Sequence, residues 1–176
     1  MKKKLLIIPT IFFLLILAAF FFLLITDRNP SELPSALLNK NVPKFEGKSL
    51  FKDKKIISSQ IFVKEIVLVN FFATWCKPCL EEHKYIKRFS EKNGIKIIGI
   101  NYKDNDKRAI EWLNKLGNPY SDVIVDKKGN VAIDWGVYGI PETFIINSQG
   151  IIKHRHAGPL SEKIYKKINL IINNIE

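Results

Sequence analysis

Cys76 and Cys79 are the only cysteines in the chain, and two residues separate them. Thiols at that spacing can do three kinds of work. As a redox pair, one thiolate attacks a disulfide sulfur and the neighbouring thiol then displaces the partner. As an inert disulfide, they would close a loop so short that it restrains little of the unfolded chain. As part of a metal site they would need further donors. His83 is the nearest, no second cysteine pair exists for structural zinc, and copper accepts fewer soft ligands. The flanking stretch "NFFATWCKPCLEEH" favours exchange, because an apolar run leads into the pair and Pro78 suits the first turn of a helix. A helix start presents unpaired N–H groups and the positive end of the helix dipole. Cys76, placed there beside Lys77, is the expected attacking thiolate. Cys79, one turn on, is the expected resolving thiol. Trp75 is expected to shield the pair and offer a partner a flat apolar surface.

Strand and helix signals alternate around the pair. "EIVLVNFF" (Glu65–Phe72) and "IKIIGINY" (Ile95–Tyr102) are short apolar runs of the kind found in buried strands. The polar helical stretch between them should stop at Gly94. "DNDKRAIEWLNKLG" predicts a second helix, with Ile110, Leu113 and Leu116 on one face and Gly117 as its stop. "SDVIVD" predicts a third strand, followed by a turn at "KKGN". "TFIIN", "SQG" and "IIKHRHAG" predict a hairpin. From Ser161 a last helix is expected, with Ile164, Ile168, Ile171, Ile172 and Ile175 at helical spacing. This order, with Cys-x-x-Cys at the first strand–helix junction, predicts an α/β domain of thioredoxin-like fold, a mixed sheet flanked by helices.

That fold gives meaning to two more features. Pro141, in "GVYGIPETF", falls where a thioredoxin-like fold carries a cis-proline packed against the cysteines. The backbone of Ile140 would then pair with an extended substrate strand. Asn70 stands six residues before Cys76, where thioredoxin has a buried aspartate that accepts a proton. An amide cannot titrate, so a proton leaving Cys79 needs another carboxylate. Glu142, beside Pro141, is the first candidate and Glu82, on the helix, the second. His154 and His156 share one face of a strand and are assigned no role; no metal or other cofactor is expected.

The N-terminus has a different character. Residues 5–25 carry no charge and would reach roughly 31 Å as a helix at ~1.5 Å per residue, the thickness of a bilayer core. They predict a transmembrane anchor behind a cytoplasmic tail of residues 1–4, whose lysines send everything after Ile25 across the membrane. A cleaved signal peptide would have an apolar core of ~7–15 residues and small residues before the cut, neither of which "FFLLITDR" supplies. Both readings put the domain outside the cytoplasm. Residues 26–43, with Pro30, Pro34 and Pro43, read as a linker whose Leu33, Leu37 and Leu38 rest in part on the domain, residues 44–176. The net charge of +11 includes three lysines in the first segment; the remaining basic residues are scattered. No nucleic-acid partner is expected.

The chain resembles the membrane-anchored thioredoxin-like proteins of cytochrome c maturation, the CcmG/DsbE family. The resemblance is carried by "PSALLNKNVPKF", "NFFATWCKPCLEEH", "GINYKD", "WLNKLGNPY", "DWGVYGIPETFIIN" and "HRHAGPL". The family's acid and histidine after the second cysteine fall on Glu82 and His83. Leu80 stands where an arginine is frequent, and Lys84 where a proline is. The resemblance implies a single-pass protein of the bacterial inner membrane with its catalytic domain in the periplasm. A membrane thiol-relay protein of the DsbD/CcdA type would keep it reduced. It would reduce the disulfide of the haem-attachment motif in apocytochrome c, directly or through a CcmH-like thiol protein. The alternatives are an anchored reductase serving another client, such as copper-centre assembly, and a copper-binding or adaptor module that uses "CKPC" as ligands.

Overall fold

The computed structural model describes residues 2–25, 36–51, 56–62, 64–91 and 95–175. The chain divides into two units, Met1–Pro30 and Ser31–Glu176. The first holds helix α1 (Lys2–Ile25), in which Ile7–Ile25 is long and apolar enough to cross a membrane.

In the second unit every expected strand and helix forms. Strands β3 (Val67–Phe72), β4 (Lys96–Tyr102) and β5 (Asp122–Asp126) run parallel, and the hairpin β6 (Glu142–Ile146) and β7 (Ile152–Ala157) adds antiparallel to β3. The helices are α2 (Lys77–Glu91), α3 (Asp106–Leu116), α4 (Asn130–Asp134) and α5 (Glu162–Asn173). Local chemistry sets their ends. The Asn105 side chain caps α3 by accepting from Arg108 N–H, Gly117 follows its last turn at φ 87°, and Ser161 caps α5 by accepting from Ile164 N–H. Gly94, the expected stop of α2, lies outside the described residues.

Three pieces were not expected. A ribbon of β1 (Glu46–Ser49) and β2 (Ile56–Ser58) extends the sheet beyond β5, giving the order β2-β1-β5-β4-β3-β6-β7. "EGKS" carries no apolar alternation, and Gly47 is there because a Cβ would collide with the side chain of Ile124. Helix α4, at five residues, is too short to show a helical period. Residues 39–42 are also fastened to the hairpin: Asn39 N–H donates to Ile152 O at 2.8 Å and Val42 N–H to Gly150 O at 3.0 Å. Leu37 packs on the core. The folded domain therefore begins ahead of residue 44; Pro30, Leu33 and Pro34 lie outside the described residues.

Strand alternation splits the core into two layers. Leu68 and Phe72 of β3, Ile97 of β4 and Ile145 of β6 face α2 and α5, packing with Ile86, Phe89, Tyr165 and Ile168. Val67, Val69 and Phe71, with Ile98, Ile100 and Phe144, face the other way onto Trp135, Phe45 and Phe62. Each fully buried Leu, Ile or Phe contributes about 1.5–3 kcal/mol. The same alternation puts Asn70 and Thr143 in the α2 layer and Glu142 in the opposite one, and this decides the chemistry of the site.

Candidate active site

Between β3 and α2 the chain turns through residues 73–76. Cys76 N–H donates to Ala73 O at 3.2 Å. Thr74 is clamped by Asp104, which accepts from its N–H at 2.6 Å and its hydroxyl at 2.9 Å, and also from Asn105 N–H and Asn101 Nδ2. Burial works against the Asp104 carboxylate, but these donors outweigh it and hold the group below the usual aspartate range. The Trp75 indole N–H donates to Lys103 O at 3.3 Å, and its ring stays 55% exposed beside the cysteines. Asp104 carried no expected role, although "NYKD" was among the stretches of the resemblance.

Cys76 and Cys79 form a disulfide, and Cys79 N–H points at Cys76 Sγ at 3.1 Å. Cys76 Sγ lies 3.7 Å from the carbonyl oxygen of Ile140, whose peptide bond to Pro141 is cis. The two sulfur-bearing residues are 5% and 2% exposed, so accessibility in the oxidised state barely separates them. Position does: Cys76 precedes the first residue of α2, and Cys79 lies within its first turn.

The two candidate carboxylates occupy different layers. Glu82 is 1% exposed, on the sheet side of α2, three residues after Cys79 and hence on the same helix face. Its Oε1 accepts from Asn70 Nδ2 at 2.8 Å and its Oε2 from Leu160 N–H at 2.8 Å. Burial raises its pKa from 4.5 to about 8 against the pull of those two donors. Asn70 Oδ1 in turn accepts from the Tyr120 hydroxyl at 2.8 Å. A carboxylate of the helix is thus hydrogen-bonded to the strand position that lacks an acid.

Glu142, expected first, is turned away. Its side chain lies in the layer opposite Asn70, where Arg155 donates from Nε to Oε2 at 2.7 Å and from Nη2 to Oε1 at 2.9 Å. Tyr138 N–H donates to it at 2.9 Å and Gly139 N–H at 3.5 Å. Adjacency to Pro141 misled, because consecutive strand residues point to opposite faces. Glu142 anchors the loop before Pro141 and is engaged by a guanidinium. A hairpin register would have exposed this partner, since Arg155 pairs with Phe144, two residues from Glu142 on the same face.

His83 also departs from the metal reading. Its Nε2–H donates to Gly117 O at 2.9 Å and its ring meets Trp112 edge-on at 4.6 Å, tying α2 to the end of α3. Burial pushes its pKa down, as it does for His154, to about 4, and for His156. Among the described residues no three His, Cys, Asp or Glu side chains are grouped to hold a metal ion. The positions of the departures are exposed: Leu80 is 49% exposed, beside the pair, and Lys84 lies on the outer face of α2.

Comparisons with known proteins agree with this geometry. The Redoxin family model matches residues 37–169. A DsbE thiol:disulfide interchange protein of Tatumella citrea is 45% identical over 139 residues, 78% of this chain and 75% of that one. That of Escherichia coli K12 is 43% identical over 140 residues, 79% and 75%. Among solved structures, a DsbF homologue from Corynebacterium diphtheriae superposes with a TM-score of 0.68 at 20% identity, over 84% of this chain and 96% of that one. A secreted thiol-disulfide isomerase from Corynebacterium glutamicum gives 0.66 at 22%, over 74% and 84%. At such identities the structures speak for the fold alone.

Proposed function

Because the chain belongs to the Redoxin family and, within it, to the DsbE thiol:disulfide interchange proteins, we propose that it is the reductant that opens a disulfide in apocytochrome c, or in a CcmH-like thiol partner, before haem attachment. The observation that carries the reading is the cysteine pair at the start of α2 with a buried, titratable glutamate on the same helix face.

In the reduced protein the Cys76 thiolate is favoured by the helix start and by the Cys79 N–H. It attacks one sulfur of the client disulfide. That S–S bond breaks, the client's other sulfur leaves as a thiolate, and a mixed disulfide remains. Cys79 then gives its proton to Glu82, and its thiolate attacks Cys76 Sγ. The mixed disulfide breaks, the second client thiolate leaves, and the Cys76–Cys79 disulfide closes. Two electrons have passed to the client. A carboxylate with a pKa of about 8 suits this step, because it lies close to that of an ordinary thiol, about 8.5. In the return half-cycle a donor thiolate attacks Cys76 Sγ, and Cys79, leaving as a thiolate, recovers the proton from Glu82. The donor is a membrane thiol-relay protein of the DsbD/CcdA type. The backbone of Ile140, beside Pro141, holds the client strand, and the exposed Trp75 ring covers it.

Helix α1 serves as a retained inner-membrane anchor, with Lys2, Lys3 and Lys4 in the cytoplasm and the catalytic domain in the periplasm. The test is to replace Cys79 by Ser in cells and identify the protein disulfide-linked to Cys76. An apocytochrome c or a CcmH-like protein is expected. A copper-centre assembly protein in its place would overturn the client assignment and leave the exchange chemistry standing.

A further inference from the structure

Among the described residues, Asn70 is the one polar side chain of the sheet hydrogen-bonded to Glu82, and an amide has two ends. With its NH2 toward Glu82 it donates to the carboxylate and favours the charged form. With its oxygen there it would repel the carboxylate and favour the acid. The neighbours decide between these states. Tyr120 places its hydroxyl 2.8 Å from Asn70 Oδ1, and Thr143 Oγ1 lies 3.1 Å from Nδ2. Tyr120 is itself held rigidly. It is 6% exposed and its ring stacks on Phe72 at 4.9 Å with 16° between planes. Gly99, on the neighbouring strand, makes room for that stack: a Cβ there would sit 2.9 Å from Phe72 Cε1 and 3.1 Å from Tyr120 Cγ.

We infer that Tyr120 and Asn70 are positioning residues for the proton transfer: the Tyr120 hydroxyl locks the Asn70 amide so that its NH2 faces Glu82 and supports the carboxylate that receives the Cys79 proton. The inference rests on the reading of Glu82 as proton acceptor. Burial, with the Glu82 charge second, pushes the Tyr120 phenol well above its usual range, so it stays a hydrogen-bond donor while Glu82 titrates. Among the described residues, Cys79 and His83 are the titratable groups of α2 buried with Glu82, and His154 and His156 of β7 lie on the sheet face that meets the helices, with Lys167 of α5 beside them; the other charged groups of α2 are exposed or half-buried on its outer side. Burial holds all three histidines below their usual range and so favours their neutral form.

The test is a stopped-flow reaction of the reduced full-length protein, in detergent, with dithiobis-nitrobenzoate. The first thionitrobenzoate released reports attack by Cys76, and the second reports resolution by Cys79. The second rate is followed against pH. Tyr120→Phe removes one hydroxyl and no charge. It should move the midpoint of that profile upward by about half a unit to one unit, the size of one hydrogen bond, and slow resolution about 3- to 10-fold at pH 7. Above the midpoint the natural rate should return. Asn70→Ala should shift the profile at least as far in the same direction. In the infrared, the protonated-carboxyl band that Glu82→Gln abolishes should persist to higher pH in Tyr120→Phe. An unmoved midpoint and band, or slowing that is equal at every pH, overturns the positioning role while the Glu82 reading stands. A profile that Glu82→Gln leaves unchanged overturns the Glu82 reading, and the inference with it.

Discussion

Glu82 and Glu142 are each 1% exposed, and they lie on opposite faces of one sheet. Their burial is equal, but their partners differ. Glu82 meets an amide, a backbone N–H and, among the described residues, no cation, so desolvation dominates and raises its pKa to about 8. Glu142 meets the Arg155 guanidinium in two-pronged contact, and two backbone N–H groups of the loop that leads to Pro141. One glutamate is therefore left without a countercharge, as the proposed proton transfer needs, and the other holds a loop. Burial alone does not make a buried acid functional; what fills its hydrogen-bonding positions decides.

The contrast is broken most severely at Arg155. Arg155→Met leaves Glu142 buried without its cation and should cost about 3–5 kcal/mol of stability in a denaturant titration. Combining it with Glu142→Gln should restore most of that loss, and a single-variant cost below about 1 kcal/mol would deny the anchoring role.

Glu82 should act on stability through pH. Its folded pKa of about 8 lies above the ordinary 4.5, so the folded state holds this proton more tightly. The contribution is complete below pH 4.5 and is lost as pH rises through about 8. Relative to Glu82→Gln, the natural protein should lose on the order of 5 kcal/mol across that window. Parallel stability curves for the two proteins would show that Glu82 does not titrate there.

In kinetics the two sites should separate. Glu82→Gln should slow resolution by about 100-fold at pH 7. Glu142→Gln should leave resolution within about 2-fold while raising the client KM, because it loosens Tyr138 and Gly139 and touches neither sulfur. Equal slowing by both variants would erase the distinction. The smallest effect belongs to the exposed pair Arg88–Glu162, whose side chains are 44% and 50% exposed. Arg88→Ala should leave the thermal midpoint unchanged within error, because water already solvates both charges.

Much of this molecule is written locally. The apolar run of β3, the proline in the first turn of α2, the stop of α3 at Gly117, the start of α5 at Ser161 and the Cys-x-x-Cys spacing are relations between residues a few positions apart, and each came out as expected. Cys76 and Cys79 were legible in the chain alone for that reason, whereas the cis bond at Pro141 followed from the thioredoxin-like fold those signals imply. The ranking of the two glutamates could not be. Glu82 becomes special through Asn70, 12 positions away, and Leu160, 78 away, and Tyr120 reaches Asn70 across 50. Those pairings depend on strand register and on which face of the sheet each side chain takes, and a shift of one residue inverts the face. The sequence by itself determined which residues could carry the exchange of disulfides. Only the tertiary structure decided which acid stands with them, because solvation and hydrogen-bond partners are set by neighbours distant in the chain.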